Sequence, residues 1–598
     1  MGLLERIASD VTYMRGLLRA LKRVNAATKD PERTFPDILS DLALVFDERP
    51  ALIGQDSHYS YREVEARANQ YAHWAFSVGL EPGDTVSLLM KNCPEYLAIW
   101  FGLIRAGVRV ALLNTNLTGH SLGHCMQAVP VKKAIVDTDL LEAHDSALPH
   151  MGKPPELWVH GKADHGFDLV AALTRMPEDG LAADRKPKIA HEDPALYIYT
   201  SGTTGLPKAA VINHYRIVAA MHGFAAICNS NRDDRIYVAQ PMYHTSGGIL
   251  AVGIALTVGG SVVIRERFSA RSFWDDIVET KCTAFQYIGE QCRYLLNAPK
   301  TAAEEKHSIR FCNGNGLRPD IWEDFQSRFA IPRIVEWYAA TEGNVTLFNL
   351  DGTPGSIGRI PRWLERRFPV KVVKFDVETE QPVRDAAGHC VECEAGEVGE
   401  AIGKISRDAS TPASRFDGYA NRDETKKKVL RNVFEKGDAW FRTGDLMRRD
   451  KRGYFYFVDR IGDTFRWKGE NVSTSEVEEV MTAFPGIRQA NVYGVTVPLH
   501  NGRAGMAAIV SDRDLDLVAL HEHLERELPS YSRPRFLRLL STLDVTGTFK
   551  VKKTDLRAEG FDPRRSADPL YFNNPDSFAF ERLDINLYRK IEVGDFRL

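Results

Sequence analysis

Between residues 81 and 114 the chain reads EPGDTVSLLMKNCPEYLAIWFGLIRAGVRVALLN. A short apolar run, a helix opening near Pro94 and a second apolar run after Gly107 make a strand-helix-strand unit. Strands buried on both faces show such continuous apolar runs, and a helix between them serves as the crossover of a parallel pair. The texture returns. PALYIYTSG, from Pro194, is a strand followed by a helix reaching Ile227, and a further strand and helix run from Arg235 to Ile264. Repetition of this unit confines the chain to a layered α/β architecture with a mostly parallel sheet.

Two changes of texture follow. From Gly358 to about Asp459, short strands and turns such as FDVETEQPVRDAAGHC and RRDKRGYFYFVDR point to an antiparallel subdomain. After Arg460, STSEVEEVMTAF opens with Ser/Thr caps three residues before acidic partners, as a helix start should. The strands QANVYGVTV and MAAIV and the helix DLVALHEHLEREL complete a small α+β unit. At 598 residues the chain exceeds one ordinary core. The expected organisation is a leading segment over 1–30, a large α/β domain over 31–460 and a small α+β domain over 461–598.

In the leading segment, Leu3, Leu4, Ile7, Val11, Met14, Leu17, Leu18 and Leu21 recur at helical spacing, with Arg6, Arg15, Arg19, Lys22 and Arg23 between them. A basic amphipathic helix of this kind either lies on an anionic bilayer, here through residues 1–25, or packs on its own domain. Both readings stand at this point. The run Ser246 to Ile264 reaches the length of a membrane span, but its glycines divide it into a buried helix and a buried strand. With no secretory signal in view, the expected location is cytoplasmic or peripheral on the cytoplasmic face of a membrane.

A net charge of −3 argues against a nucleic-acid partner. Cys390 and Cys393 form a lone C-x-x-C pair, and zinc would need a second pair, so a turn in a reduced protein is the expectation. His120 and His124 lack the adjoining glutamate of a zinc protease and are read as helix surface or packing.

The stretch YTSGTTGLPK, 199–208, is different in kind. Short hydroxyl side chains, exposed backbone N–H groups and one cation make a concave cradle for a phosphate chain. The spacing of Gly202, Gly205 and Lys208 lacks the Walker A frame, which sets aside P-loop kinases and ATPases. The string instead resembles the phosphate loop of the adenylate-forming superfamily of acyl-CoA synthetases, luciferases and peptide-synthetase adenylation domains. Companions follow in that superfamily's order: YHTSG at 243–247, GNGL at 314–317, YAATEGN at 338–344, WFRTGDLMRRDKRGYFYFVDR at 440–460 and GTFKVKK at 547–553. The resemblance covers the chain from about residue 35.

The resemblance implies a large N-terminal adenylation domain and a small mobile C-terminal lid. ATP converts a carboxylate to an acyl-adenylate, which a thiol then attacks, dividing one hard step into two easier ones. On that reading Thr200, Ser201, Gly202, Thr203, Thr204, Gly205 and Lys208 hold the β- and γ-phosphates. Gly314 and Asn315 belong to the adenine loop, with Tyr338 and Ala339 beside the base. Thr341 contacts the α-phosphate and Glu342 holds Mg²⁺, which prefers one or two carboxylates plus phosphate oxygens. His244 lies beside the carboxylate pocket, Asp445 accepts from the ribose hydroxyls, and Arg460 reinforces that contact. Lys550 bridges the carboxyl oxygen and the α-phosphate, with Lys552 and Lys553 as alternatives because GTFK departs from the Gly-Lys of many relatives. Where many relatives carry Asp or Lys at the hinge, this chain has Gly462 followed by Asp463. Gly is a permissive pivot.

Within the superfamily, FDGYANRDETKKKVL, YFVDRIGDTFRWKGENVSTSEVEEV and YSRPRFLRLLSTLDVTGTFKVKK resemble the fatty-acid-transport-protein and very-long-chain acyl-CoA synthetase branch. This implies a long or very long fatty acid, or a bulky lipid acid such as a sterol side-chain acid, with ATP, Mg²⁺ and coenzyme A. FQYIGEQCRYLL, 285–296, is read as a helix beside the acyl pocket. A lipid-uptake protein and an adenylating enzyme that loads a carrier protein in trans remain alternatives. A homodimer stays open.

Overall fold

The computed structural model describes residues 3–200, 206–377, 379–406, 415–468, 470–500, 502–512, 515–544 and 553–596. The chain divides into two compact units, one formed by residues 1–361 and 405–429, the other by 362–404 and 430–598.

The first unit holds two sheets of the expected α/β kind. In one, the strands run in the order Phe167–Asp168, Glu156–His160, Lys133–Asp137, Thr85–Leu89, Arg109–Leu112, Pro194–Thr200 and Lys208–Asn213. All neighbours are parallel except the last pair, which is antiparallel. The predicted crossover is the helix Pro94–Arg105, with Pro94 in its first turn and every residue buried. The second sheet orders Thr346–Asn349, Ile334–Ala339, Phe311–Asn315, Ala284–Ile288, Arg235–Val238, Ser261–Ile264, Pro50–Ile53 and His58–Ser60. It is parallel inside and antiparallel at both edges. Residues 246–256 form a buried π-helical then α-helical segment leading to the buried strand Ser261–Ile264. Among the described residues no helix is long and apolar enough to cross a membrane.

FQYIGEQCRYLL departs from the single helix expected of it. Ala284–Ile288 is a strand, and the helix begins only at Gly289 and runs to Asn297. Phe285 and Tyr287 face the same core as Trp274 and Cys312, while Gln286 falls on the opposite side, the period of a strand rather than a helix.

The leading helix spans Leu3–Ala27 and packs on the helix His214–Cys228. Its inward face mixes apolar, small and polar residues. Ser9, Tyr13 and Ala27 are buried, and a Cβ at Gly16 would come within 2.7 Å of Leu350. Arg359 donates to Ser9 and pairs with Asp10 at 2.6 Å. Two arginines also turn toward the protein, Arg19 to the carbonyl of Ala226 and Arg23 to His222 Nδ1, both at 3.2 Å. Ile7, Val11 and Leu18 are left exposed. The two readings of this segment are thus not exclusive, since the docked helix still presents apolar side chains outward.

The second unit contains an antiparallel sheet, Gln381–Pro382, Val370–Asp376, Val398–Lys404, Ala439–Arg449 and Tyr454–Arg460, where short strands and turns were read. It also holds a five-stranded sheet, Ile487–Val495, Ala504–Ser511, Phe536–Leu540, Leu570–Asn574 and Ala579–Arg582. Helices Thr474–Ala483, Leu517–Glu527 and Ile585–Val593 supply Met481, Leu520, Leu524 and Ile591 to its core. Ser473 caps the first of these helices by accepting from the N–H of Glu476, as the cap spacing requires.

Candidate active site

In parallel α/β sheets ligands gather beyond the carboxyl ends of the strands, and those predicted residues of the first unit that the structure describes lie there. Thr200 closes its strand, and its partner in the antiparallel register is Lys208, which opens the returning strand. Ser201, Gly202, Thr203, Thr204 and Gly205 lie outside the described residues. Just past them the carbonyl of Pro207 is 3.1 Å from the His124 ring nitrogen, so this histidine packs against the exit of the loop.

A second segment reaches the same place. The N–H of Val211 donates to Gly418 O at 3.0 Å and that of Ala420 to Ala209 O at 2.9 Å, extending the sheet edge. Tyr419 is thereby set beside Thr200. Its hydroxyl donates to Glu342 Oε1 at 2.7 Å and is hydrogen-bonded by the Thr200 side chain. Burial first, then the Glu342 charge, pushes the phenol well above its ordinary range, so it remains a donor. Lys208 is ion-paired with Glu424, on the helix Arg422–Lys427, whose N-cap is Asn421. Hydrogen bonds from Lys208 and then Lys427 hold the Glu424 carboxyl below its usual value.

Gly314 and Asn315 end the strand Phe311–Asn315, and Tyr338 and Ala339 end the adjoining Ile334–Ala339. Between them Glu336, fully buried, accepts from the N–H groups of Gly316 and Leu317 and from the Tyr287 hydroxyl. Burial raises its carboxyl to about 8 despite these three donors. Gly289 meets the same loop so closely that a Cβ there would stand 1.6 Å from Gly316 O. The loop from Gly314 to Leu317 is therefore held on one side by the buried carboxyl of Glu336 and on the other by the bare backbone of Gly289. His244 is half-buried, its ring centroid 4.6 Å from that of Tyr243.

Thr341 and Glu342 lie in the turn that joins Ile334–Ala339 to Thr346–Asn349. Arg216, from the first turn of the helix His214–Cys228, donates to the carbonyls of this turn. The donor set suits Mg²⁺ brought with a nucleotide. Glu342 offers one carboxylate, and among the described residues no group of three His, Cys, Asp or Glu forms a ready-made cage. Mg²⁺ retains water and phosphate oxygens around one or two carboxylates. Lys428 Nζ, 3.8 Å from Glu342 Oε1, adds positive charge to the same place.

In the second unit Asp445 and Arg460 face each other across neighbouring strands, with Arg460 Nε 3.8 Å from Asp445 Oδ1. Lys550 and Lys552 lie outside the described residues. Lys553 is held by Asp463 at 3.5 Å and Glu478 at 3.4 Å. Arg557 donates to Gly462 O and to Asp463 Oδ1, both at 3.1 Å, tying the two hinge candidates to the helix Lys553–Glu559.

Tyr419, Glu424, Arg216 and Glu336 were not singled out from sequence. The first two sit in FDGYANRDETKKKVL, a tract conspicuous only for its resemblance to one branch. Arg216 and Glu336 are single charged residues within apolar elements, and that mismatch was their available signal.

The AMP-binding enzyme family matches residues 41–400, and the AMP-binding enzyme C-terminal domain matches residues 476–550. Long-chain fatty acid transport protein 1 of Mus musculus is 41% identical over 577 residues, covering 94% of this chain and 88% of that protein. Long-chain fatty acid transport protein 2 of Rattus norvegicus is 38% identical over 598 residues, covering 98% and 95%. Among solved structures, the anthranilate CoA ligase AuaEII in complex with anthranoyl-AMP has a TM-score of 0.75 at 22% identity, covering 89% of this chain and 98% of that one. The Mycobacterium tuberculosis fatty acyl CoA synthetase has a TM-score of 0.62 at 24% identity, covering 89% and 99%. With both parts matched in order and the long-chain fatty acid transport proteins aligned along nearly all of its length, this chain belongs to the AMP-binding enzyme family.

Proposed function

We propose that this protein is an ATP-dependent acyl-CoA synthetase that activates a long or very long fatty acid, or a comparable lipid acid, as its acyl-adenylate and transfers it to coenzyme A. AMP and pyrophosphate are the other products. The observation that carries the reading is the sharing of one phenol: Tyr419 is bonded both by Thr200, at the mouth of the phosphate loop, and to the carboxylate of Glu342. Two motifs distant in sequence meet where a triphosphate and its metal would have to meet. The names of the similar proteins support a lipid acid as substrate.

In this reading Thr200 and Lys208, with Ser201 to Gly205, hold the β- and γ-phosphates. The carboxylate of the fatty acid attacks the α-phosphate, and pyrophosphate departs. Charge grows on the transferring phosphate and the leaving group, where preorganised cations and donors act most strongly. Thr341 contacts the α-phosphate, Tyr338 and Ala339 flank the adenine, and Gly314 and Asn315 form the wall of its pocket. Bound Mg²⁺, held by Glu342, would supply electrophilic charge to the phosphates. His244 lines the carboxylate pocket. Asp445 and Arg460 take the ribose, and Lys550 bridges carboxylate and α-phosphate. Residues 461–598 act as a lid pivoting at Gly462 or Asp463, so that Lys550 leaves before coenzyme A attacks. Gating of this kind is common where one site serves two steps. The helix Leu3–Ala27, with Ile7, Val11 and Leu18 outward and Arg15 and Lys22 exposed beside them, rests peripherally on an anionic membrane.

The test separates the half-reactions. Lys550→Ala should abolish adenylation and leave thioester formation from supplied acyl-adenylate within about two-fold, as expected when a group acts in one transition state only. Equal loss of both half-reactions would overturn the role given to Lys550.

A further inference from the structure

The turn Thr341–Glu342–Gly343 belongs to neither a helix nor a strand, so its carbonyl oxygens need partners from elsewhere. One side chain supplies them. Arg216 Nη1 donates to Glu342 O at 3.0 Å, and Nη2 donates to Thr341 O and Gly343 O, both at 2.7 Å. Three consecutive carbonyls converge on a single planar cation.

Arg216 is itself fixed. Its N–H donates to Asn213 Oδ1 at 2.9 Å, the N-cap bond of the helix His214–Cys228, and Asn213 Nδ2 donates to Asp417 Oδ2 at 3.1 Å. Asp417 lies two residues before Tyr419, whose hydroxyl bonds the Glu342 carboxylate. The Thr341–Glu342 turn is thus held at two levels, its backbone by Arg216 and its carboxylate by Tyr419. Both holders are anchored to the strand Lys208–Asn213, Arg216 through the helix that follows it and Tyr419 through the bonds of its neighbours Gly418 and Ala420 to Val211 and Ala209.

We propose that Arg216 is a positioning residue for the adenylation step, holding Thr341 and Glu342 from behind at the separation from Thr200 and Lys208 that a bound triphosphate requires. It touches no reacting atom. A guanidinium can do this because its donors form a rigid fork, and charge-assisted bonds to carbonyls are shorter and stronger than neutral ones. A lysine keeps the charge but presents a point, not a fork, so it cannot reproduce the fixed spacing of the two donor nitrogens that meet the three carbonyls. The proposal rests on the adenylation reading above.

The experiment compares Arg216→Lys and Arg216→Met with wild type. Four quantities are measured: pyrophosphate exchange, thioester formation from supplied acyl-adenylate, melting temperature, and the Mg²⁺ concentration that half-saturates calorimetric binding of a non-hydrolysable ATP analogue. Displacement of a catalytic group by about 1 Å can cost on the order of 10²-fold. Arg216→Lys should therefore lower exchange about 10- to 100-fold, raise the Mg²⁺ requirement for analogue binding, leave KM for the fatty acid unchanged and leave thioester formation within about two-fold of wild type. Exchange at the wild-type rate in Arg216→Lys would overturn the proposal, as would equal losses in the two half-reactions, which would make Arg216 a fold-stabilising residue only. If Arg216→Met fails to fold, the lysine variant still decides. Absence of exchange in the wild-type protein would instead contradict the adenylation reading itself, so the two failures are distinguishable.

Discussion

The ammonium of Lys208 and the carboxylate of Glu424 are paired directly, the first at the exit of the phosphate loop and the second on a short helix capped by Asn421. The cation expected to meet the triphosphate is therefore neutralised by the protein's own acid. On the proposed function, ATP would have to displace Glu424 from Lys208 or share the lysine with it.

Glu424→Gln should free Lys208 and tighten ATP binding. A partly exposed ion pair is worth up to about 1 kcal/mol, so the dissociation constant for ATP should fall about two- to five-fold. Calorimetry on the variant checks this, and weaker ATP binding would show that Glu424 supports the loop instead of competing for its lysine.

Tyr419→Phe removes the one hydroxyl shared by Thr200 and Glu342. A hydrogen bond to a charged group is worth about 1.5–3 kcal/mol, so turnover should fall at least ten-fold, with a higher Mg²⁺ requirement. Glu342→Ala should cost on the order of 10²–10³ in turnover, the scale of losing one electrostatic stabiliser. Steady-state rates across a Mg²⁺ titration test both, and undiminished Mg²⁺-dependent activity in Glu342→Ala would remove that residue from the metal site.

Glu336 makes the stability of the loop over 314–317 depend on pH. Burial raises its carboxyl from the ordinary 4.5 to about 8, so between those values the folded chain binds a proton that the unfolded chain has released. Stability contributed at this position is full below about pH 4.5 and declines as pH rises toward 8. Glu336→Gln cannot ionise. The melting temperature of the wild type relative to this variant should drop steadily over that window, and a constant difference would contradict the shift.

His222 responds in the opposite sense. Burial first, and then the neighbouring Arg23, lowers it from 6.5 to about 4, and its neutral Nδ1 accepts from Arg23 Nε. Stability at this contact is present above about pH 6.5 and is lost as pH falls toward 4. Protection factors for the amides of the helix Leu3–Ala27, taken relative to the intrinsic exchange rate at each pH, should fall across that range. Uniform protection from pH 7 to 4 would mean that the Arg23–His222 contact does not hold the helix.

Removing residues 1–25 should reduce sedimentation with anionic vesicles while sparing turnover of a soluble acid. Unchanged vesicle binding would leave the helix with a packing role alone, through Tyr13, Gly16 and Arg23.

Much of the α/β architecture was legible because its signal is local. A helix opened by Pro94 between continuous apolar strands is the pattern a buried parallel sheet imposes, and the chain obeys it from Thr85 to Leu112. FQYIGEQCRYLL was misread because a short apolar run has no period of its own; Gly289 divides it, and the need for a glycine there arises from the carbonyl of Gly316, which no local pattern reveals. The motifs proposed for the nucleotide stood out as strings. What joins them did not, since Tyr419 and Glu424 are brought in by pairing of Val211 with Gly418 and of Ala209 with Ala420, and Arg216 by side-chain bonds to the carbonyls of Thr341, Glu342 and Gly343, all contacts far apart along the chain. The leading helix shows a further limit: its apolar spacing announced a helix, but the face turned inward also carries Ser9 and Gly16, which admit close approach, beside Tyr13, and the apolar pattern did not show which side would dock.

The most direct test is to incubate purified protein with ATP, Mg²⁺ and a panel of fatty acids from medium to very long chain, together with sterol side-chain acids, with and without coenzyme A, and to measure AMP and acyl-CoA. Formation of both in equal amounts, dependent on coenzyme A and greatest for long or very long chains, is the result predicted. Pyrophosphate exchange without acyl-CoA from any acid on the panel would contradict it, leaving the adenylation site in place but assigning the acyl group to a different acceptor.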